Sequence, residues 1–188
     1  MGDQLLLESN NRLTPTDWSR DGRLIVYEQV DPQTQEDLWI LPLDGERKPF
    51  PFVRTAFNEI QGRLSPDGRW MAYTSDESGA AEVYVVGFNG GAPIGPKIKV
   101  SLNGGSNPKW RADGRELFYV ARDEKLTAVA VKPVAPFEVG ATETLFAVSQ
   151  DYTFTSDGQR FLVPTPGGDS SSRPITLIVN WQSALSTR

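Results

Sequence analysis

The chain has 188 residues, of which 38% are hydrophobic and 23% are charged, and its formal net charge is −5. This composition predicts a folded domain, because disordered chains are poorer in apolar residues and carry more net charge. The acidic balance argues against a nucleic-acid partner, which requires a basic surface. The sequence has no cysteine and no histidine, which excludes disulfides, thiolate metal sites and a Ser-His-Asp triad. No apolar run reaches the roughly 18–20 residues that span a bilayer, so we expect no direct membrane insertion.

An Asp-Gly pair between two apolar stretches occurs four times along the chain. Such a pair is a strong signal for a β-hairpin turn. The glycines recur at steps of 46, 46 and 44 residues, close to the roughly 40–50 residues of a four-stranded propeller blade. The repeat therefore predicts an all-β fold, a β-propeller of four four-stranded blades. The pairs are Asp21 and Gly22, Asp67 and Gly68, Asp113 and Gly114, and Asp157 and Gly158.

Each repeat reads in chain order as an inner strand, the turn, a second strand, a third strand and a fainter outer strand. A large apolar residue ends each inner strand, and we expect it to pack between neighbouring blades. The predicted blades cover residues 14–57, 58–103, 104–148 and 149–181 of a single domain. The apolar residues that end the inner strands are Trp18, Leu64, Trp110 and Phe154.

The two ends of the repeat array leave alternatives open. The last blade lacks a fourth strand in the sequence pattern, whereas residues 4–8 read as an outer strand with no blade of their own. Residues 4–8 could complete the last blade and close a small ring. They could also belong to a larger ring of which these four blades are one part. A homodimer of two such parts is a further alternative.

The four aspartates of the repeat have two interpretations. They could be metal or carboxylate-cluster ligands, or they could be turn residues, because Asp bonds to its own backbone and suits the position before Gly. We favour the turn interpretation, since positions spread around a ring are too far apart to share one ion. We therefore predict no catalytic residue, no cofactor and no metal site.

A second set of repeat positions lies five residues before each glycine. Side chains alternate along a strand, so these residues should point away from the face that carries the large apolar residue. On an innermost strand they would line the central channel and contact a ligand or partner segment. The alternative is that they are solvated or pair with one another. The four residues are Asp17, Arg63, Lys109 and Thr153.

The repeat resembles a known family. Residues 18–23 (Trp-Ser-Arg-Asp-Gly-Arg), followed by an apolar strand that ends at Tyr27, resemble the TolB-like repeat, a relative of the WD-repeat blade. Residues 104–110 and 174–181 resemble the C-terminal half of the propeller attached to bacterial serine/threonine kinases and winged-helix regulators. The resemblance covers nearly the whole chain.

The resemblance implies a function as well as a fold. It implies a non-catalytic protein- or ligand-binding module, the sensor or interaction part of a larger signalling protein, placed outside the cytoplasmic membrane. The expected partner is a protein or peptide. The alternative is an accessory propeller of a prolyl-oligopeptidase-like hydrolase, or of another enzyme whose catalytic domain lies elsewhere. This chain has no Gly-x-Ser-x-Gly motif of its own.

Overall fold

A computed structural model of the chain describes residues 3–148, 151–164 and 175–179. Every regular element in these ranges is a β-strand and none is a helix. The strands are β1 (Leu13–Trp18), β2 (Leu24–Asp31), β3 (Gln35–Pro42), β4 (Phe50–Val53), β5 (Glu59–Leu64), β6 (Trp70–Ser75), β7 (Glu82–Gly87), β8 (Ile94–Lys99), β9 (Gly105–Trp110), β10 (Glu116–Ala121), β11 (Lys125–Lys132), β12 (Glu138–Ala147), β13 (Thr153–Phe154), β14 (Arg160–Pro164) and β15 (Ile175–Val179).

The strands form four antiparallel sheets in chain order, and each sheet is one blade. Blade 1 contains β1–β4, blade 2 contains β5–β8, blade 3 contains β9–β12, and blade 4 contains β13–β15. Within each blade the strands are paired in sequence order. The all-β propeller class is thus confirmed, and in the described part of the chain the fourth blade has three strands.

The core lies between consecutive blades and is divided into three clusters. The cluster between blades 1 and 2 contains Val26 and Met71, the next contains Val85 and Trp110, and the third contains Phe118. The second strands of blades 2 and 3 are buried on both faces, as expected for strands held between two sheets. The second strand of blade 1 is less buried, because within the described ranges only one of its faces meets another blade.

The predicted packing of the residue that ends each inner strand is confirmed for two of the four. Leu64 is 8% exposed and Trp110 is 9% exposed. Phe154 is half-buried and packs against the third cluster. The prediction is wrong for Trp18, which is 61% exposed, because no blade among the described residues covers the face of blade 1 on which it lies.

The outer strands differ from the prediction at two places. Residues 4–8 form no strand and do not complete blade 4, whose β15 pairs with β14 alone among the described residues. The run of leucines has no alternation that would specify one face or one partner edge. The outer strand of blade 3, predicted to be faint, is β12, which with ten residues is the longest of the described strands.

The described part of the chain has no helix with the length and apolarity that a membrane span requires.

Candidate binding site

The four Asp-Gly pairs lie at the hairpin turns between the first and second strands of the blades. Each glycine has a φ of 69° to 76°, a left-handed conformation that glycine adopts without a steric penalty. Each glycine N–H donates to the carbonyl three residues earlier, as Gly68 does to Ser65 at 2.8 Å. This geometry is that of a type I turn followed by a left-handed residue.

The repeat aspartates bond within their own turns. Asp21 Oδ1 accepts from Ser19 Oγ at 2.6 Å and from the Arg23 amide at 3.1 Å. Asp157 Oδ1 accepts from the Gln159 amide at 3.0 Å and also from the hydroxyl of Thr155. These side-chain hydrogen bonds are the main reason that the pKa of Asp21 and of Asp157 lies below its ordinary value.

Asp67 and Asp113 have the same arrangement. Asp67 Oδ1 accepts from Ser65 Oγ, and Asp113 Oδ1 accepts from Arg111 Nε at 2.8 Å. Among the residues that the structure describes, no three His, Cys, Asp or Glu side chains form a group that could hold a metal ion. These contacts give each aspartate a role in its own turn.

The second set of repeat positions lies together in one cavity. Asp17, Arg63, Lys109 and Thr153 come from the inner strands of the four blades and line a space of about 500 Å³. Trp110 is among the apolar lining residues. Two cations and one carboxylate therefore face a common space, although they lie far apart in the sequence.

Asp17 and Arg63 connect blades 1 and 2. Asp17 Oδ2 accepts from the backbone amide of Leu64 at 2.7 Å. Arg63 donates to the backbone carbonyl of Thr16, and its Nη1 lies 3.9 Å from Asp17 Oδ1. Burial raises the pKa of Asp17, and the Leu64 amide and Arg63 offset that effect only in part.

Lys109 connects blades 3 and 4 in a comparable way. Its ammonium donates to the carbonyl of Tyr152 and lies 4.4 Å from the centroid of the Tyr152 ring, within cation–π range. Burial lowers the pKa of Lys109, and the positive charge of Arg63 lowers it further. Thr153, by contrast, is exposed. Asp17, Arg63 and Lys109 thus hold neighbouring blades together, and all four predicted residues line the cavity.

A relay of hydrogen bonds connects all four blades. Glu28 Oε1 accepts from the amide of Gln61 at 2.6 Å, and Gln61 Oε1 accepts from the amide of Asn107 at 2.7 Å. The hydroxyl of the buried Tyr152 then donates to the carbonyl of Asn107 at 2.8 Å. Gln61 and Asn107 have φ values of 58° and 54° and lie at irregularities of the inner strands.

Sequence reasoning did not identify this relay. Asn is enriched among non-glycine residues with positive φ, so Asn107 carried a weak signal. Gln61 carried none, because glutamine has no such preference. The relay holds the inner strands in a fixed arrangement and so makes the cavity a pre-organised surface.

Two junctions between blades contain buried carboxylates away from the cavity. At the first junction, between blades 1 and 2, Asp37 and Glu59 are both buried. Glu59 accepts from Thr55 Oγ1 at 2.6 Å and from the Thr55 amide at 3.2 Å. Burial raises the pKa of both acids.

At the second junction, between blades 2 and 3, Glu82 has the repeat position of Asp37. Glu82 Oε2 accepts from the Gly104 amide at 3.0 Å and from the Ser101 hydroxyl, and Oε1 lies 3.1 Å from Lys99 Nζ. Burial alone would raise the pKa of Glu82, but these hydrogen bonds together lower it.

Comparisons with known proteins support the fold. TolB from Acinetobacter baumannii is 18% identical with a TM-score of 0.66, over 91% of this chain and 41% of that chain. The β-propeller domain of the trilobed protease from Pyrococcus furiosus is 16% identical with a TM-score of 0.54, over 89% of this chain and 53% of that chain. These similarities show that the chain has the fold of TolB-like propellers.

One curated protein is similar in sequence. Tricorn protease homolog 1 from Streptomyces coelicolor is 35% identical over 89 residues, which are 44% of this chain and 8% of that protein. No protein-family model matches the chain. This chain therefore spans a small part of the curated relative and less than two thirds of either of these two solved structures.

Proposed function

We propose that the chain is a non-catalytic binding module that takes a segment of a protein or peptide partner into the cavity formed by Asp17, Arg63, Lys109 and Thr153. The observation that carries this proposal is the convergence of these four repeat positions on one space of about 500 Å³. Ligand sites are typically concave and largely pre-formed, with a few placed polar groups.

The charges of the cavity indicate what kind of segment fits. The positive charge of Arg63 helps to lower the pKa of Lys109, and Asp17 is already bonded to the Leu64 amide. A carboxylate placed between the two cations would relieve their repulsion and form charge-assisted hydrogen bonds, which are among the stronger ones in proteins. The expected partner segment therefore carries an aspartate, a glutamate or a free C-terminus.

The proposal includes the wider context that the sequence resemblance implies. In that context the module is the sensor or interaction part of a larger signalling protein, such as a kinase or a winged-helix regulator, and lies outside the cytoplasmic membrane. The TolB-like fold is compatible with this context.

The proposal is tested by selecting random peptides on the chain and measuring binding of an enriched peptide by fluorescence anisotropy. We expect acidic peptides to be enriched and the double variant Arg63→Ala/Lys109→Ala to bind them at least about tenfold more weakly, since a hydrogen bond to a charged group contributes about 1.5–3 kcal/mol. The matched control is Arg23→Ala/Lys125→Ala, which removes two cations that pair with Asp44 and Asp123 at the surface. Equal losses in both variants, with both still folded by thermal melt, would refute a specific site.

A second candidate function is an accessory propeller of a protease, with peptides passing by the cavity. The 35% identity to the tricorn protease homolog favours it. A cavity that only lets peptides pass to a protease would bind many peptides weakly. A recognition site would bind a few peptide sequences tightly. A selection that enriches no sequence, with weak binding of every peptide tested, would therefore favour the accessory role.

A further inference from the structure

The charges that line the cavity are unevenly distributed. Blade 1 contributes the carboxylate of Asp17, and blade 2 contributes Arg63. Blade 3 contributes Lys109, and blade 4 contributes the hydroxyls of Thr153 and Ser156. Among the described residues that line this space, Asp17 is the only acid. The cavity therefore has an acidic end at blade 1 and an uncharged end with hydroxyl groups at blade 4.

Arg63 lies toward the blade 1 end and is already close to acids of that blade. Its guanidinium donates to the backbone carbonyl of Thr16, and its Nη1 lies 3.9 Å from Asp17 Oδ1. The positive charge of Arg63 also opposes the rise that burial causes in the pKa of Glu28, on β2 of blade 1. Two carboxylates of blade 1 thus already interact with this one cation.

Lys109 lies toward the blade 4 end, where the balance of charge is different. Its ammonium donates to the carbonyl of Tyr152, and the next residue, Thr153, is exposed and lines the cavity. The carboxylate of Asp151 favours the charged form of Lys109, but burial and the charge of Arg63 each disfavour it more strongly, so the pKa of Lys109 is lowered. An additional carboxylate at this end would offset that net effect.

Asp17 is a fixed charge in this arrangement. Its Oδ2 accepts from the Leu64 amide at 2.7 Å, and its side chain is only 23% exposed, so solvent screens it less than a surface acid. A partner carboxylate bound at Arg63 would share one guanidinium with Asp17, and like charges at one site disfavour each other. A carboxylate bound at Lys109 would avoid that repulsion and would also accept a hydrogen bond from the hydroxyl of Thr153.

We propose that Asp17 determines the specificity of the cavity by excluding a second partner carboxylate from Arg63. The partner's acidic group then lies between the two cations but closer to Lys109, and the cavity prefers a segment with one acidic group to a segment with two in succession. Binding sites commonly gain specificity from such a repulsive group as well as from attractive ones. This role of Asp17 rests on the proposed function, because it concerns the same cavity.

The test compares two forms of one acidic peptide from the selection, with both termini blocked. One form carries a single glutamate, and the other carries a second glutamate beside it. Wild type should bind the form with two glutamates no more tightly than the form with one. Asp17→Asn should bind it at least about fivefold more tightly, because a like charge near Arg63 is removed. Fluorescence anisotropy measures both affinities.

The matched control is Asp21→Asn, which removes the same charge from the same blade at a turn aspartate that does not line the cavity. It should keep the wild-type ratio of the two affinities. Asp17→Asn retains an oxygen that accepts from the Leu64 amide, and a thermal melt shows that both variants are folded. A ratio that is the same in wild type and Asp17→Asn, or that rises equally in both variants, would overturn the role of Asp17.

Single variants of the two cations give an independent measurement in the presence of the native Asp17. Lys109→Gln should weaken binding of the single-glutamate form more than Arg63→Gln does, and both variants keep a donor for the neighbouring backbone carbonyls. An equal or larger loss in Arg63→Gln would overturn the role of Asp17, even where Arg63→Ala/Lys109→Ala loses binding as the proposed function expects. A selection that enriches no acidic peptide would instead overturn the proposed function and the role of Asp17 together.

Discussion

The first and second junctions of this propeller join blades of the same repeat but are stabilised differently. At the first, Leu64 packs between the blades and two buried acids, Asp37 and Glu59, have raised pKa values. At the second, Trp110 packs between the blades and also donates a hydrogen bond to the Arg63 carbonyl. The acid of the second junction, Glu82, has a lowered pKa. A common repeat thus sets the strand order, whereas the stability of each junction depends on side chains that the repeat does not specify.

The largest expected effect is at the apolar contact of the second junction. Trp110→Ala should lower the free energy of unfolding by about 3–5 kcal/mol, because it leaves a cavity in the core and an unpaired Arg63 carbonyl. Urea unfolding measures the change. Leu64→Ala is the comparison at the first junction. It should lower the free energy of unfolding by less, since it removes fewer atoms and no hydrogen bond. An equal or larger loss in Leu64→Ala would contradict the difference between the junctions.

The next effect concerns the buried acids. Glu82→Gln should lower the free energy of unfolding by about 1.5–3 kcal/mol, because it removes charge-assisted hydrogen bonds with Lys99 and with the donors around Oε2. Glu59→Gln should change it by less than about 1 kcal/mol or stabilise the protein, because it removes a buried charge and keeps an acceptor for Thr55. Matching losses in the two variants at neutral pH would refute the assignment of opposite roles.

The smallest expected effect is the pH dependence of stability. Glu82 at the second junction and Glu59 at the first junction contribute to it with opposite signs. The folded pKa of Glu82 lies below the ordinary value of 4.5, so its stabilisation is present above pH 4.5 and is lost as pH falls through the folded pKa. The folded pKa of Glu59 lies above 4.5, so its destabilisation develops as pH rises from 4.5 through the folded pKa.

Urea midpoints across this range measure both effects. The urea midpoint of Glu82→Gln should lie below that of wild type at neutral pH, and the difference should shrink toward acid pH. The midpoint of Glu59→Gln should rise relative to that of wild type as pH rises. Parallel curves for wild type and both variants would show that neither acid changes its pKa on folding.

The sequence predicted the features that depend on local backbone geometry. It did not predict the contacts that depend on how the blades pack against one another. The Asp-Gly turns follow from backbone rules for single residues, which is why the strand order of each blade follows the repeat. The exposure of Trp18 could not be predicted, because burial at that position depends on a neighbouring blade and not on the local sequence. The contact of Glu82 with the Gly104 amide joins residues far apart in the chain, and no local pattern indicates it.

The candidate site also combines features that the local sequence indicates with contacts between blades that it does not indicate. Asp17, Arg63, Lys109 and Thr153 lie at equal distances from the repeat glycines in the sequence, and their side chains line one cavity. The bonds that Arg63 and Lys109 donate to backbone carbonyls of adjacent blades were not predicted, because they depend on how closely blades approach. The channel-lining role of these residues in partner binding stays a prediction.

The most direct test of the binding site uses the indole N–H resonance of Trp110, which lines the cavity. A proton–nitrogen correlation spectrum is recorded while an acidic peptide from the selection is added, with Trp→Phe variants to assign each indole. The account predicts a shift of the Trp110 resonance that follows the binding curve, and little change at Trp39, which stacks on Tyr27 in blade 1. A Trp110 resonance that stays in place while the peptide binds would contradict the cavity as the site of recognition.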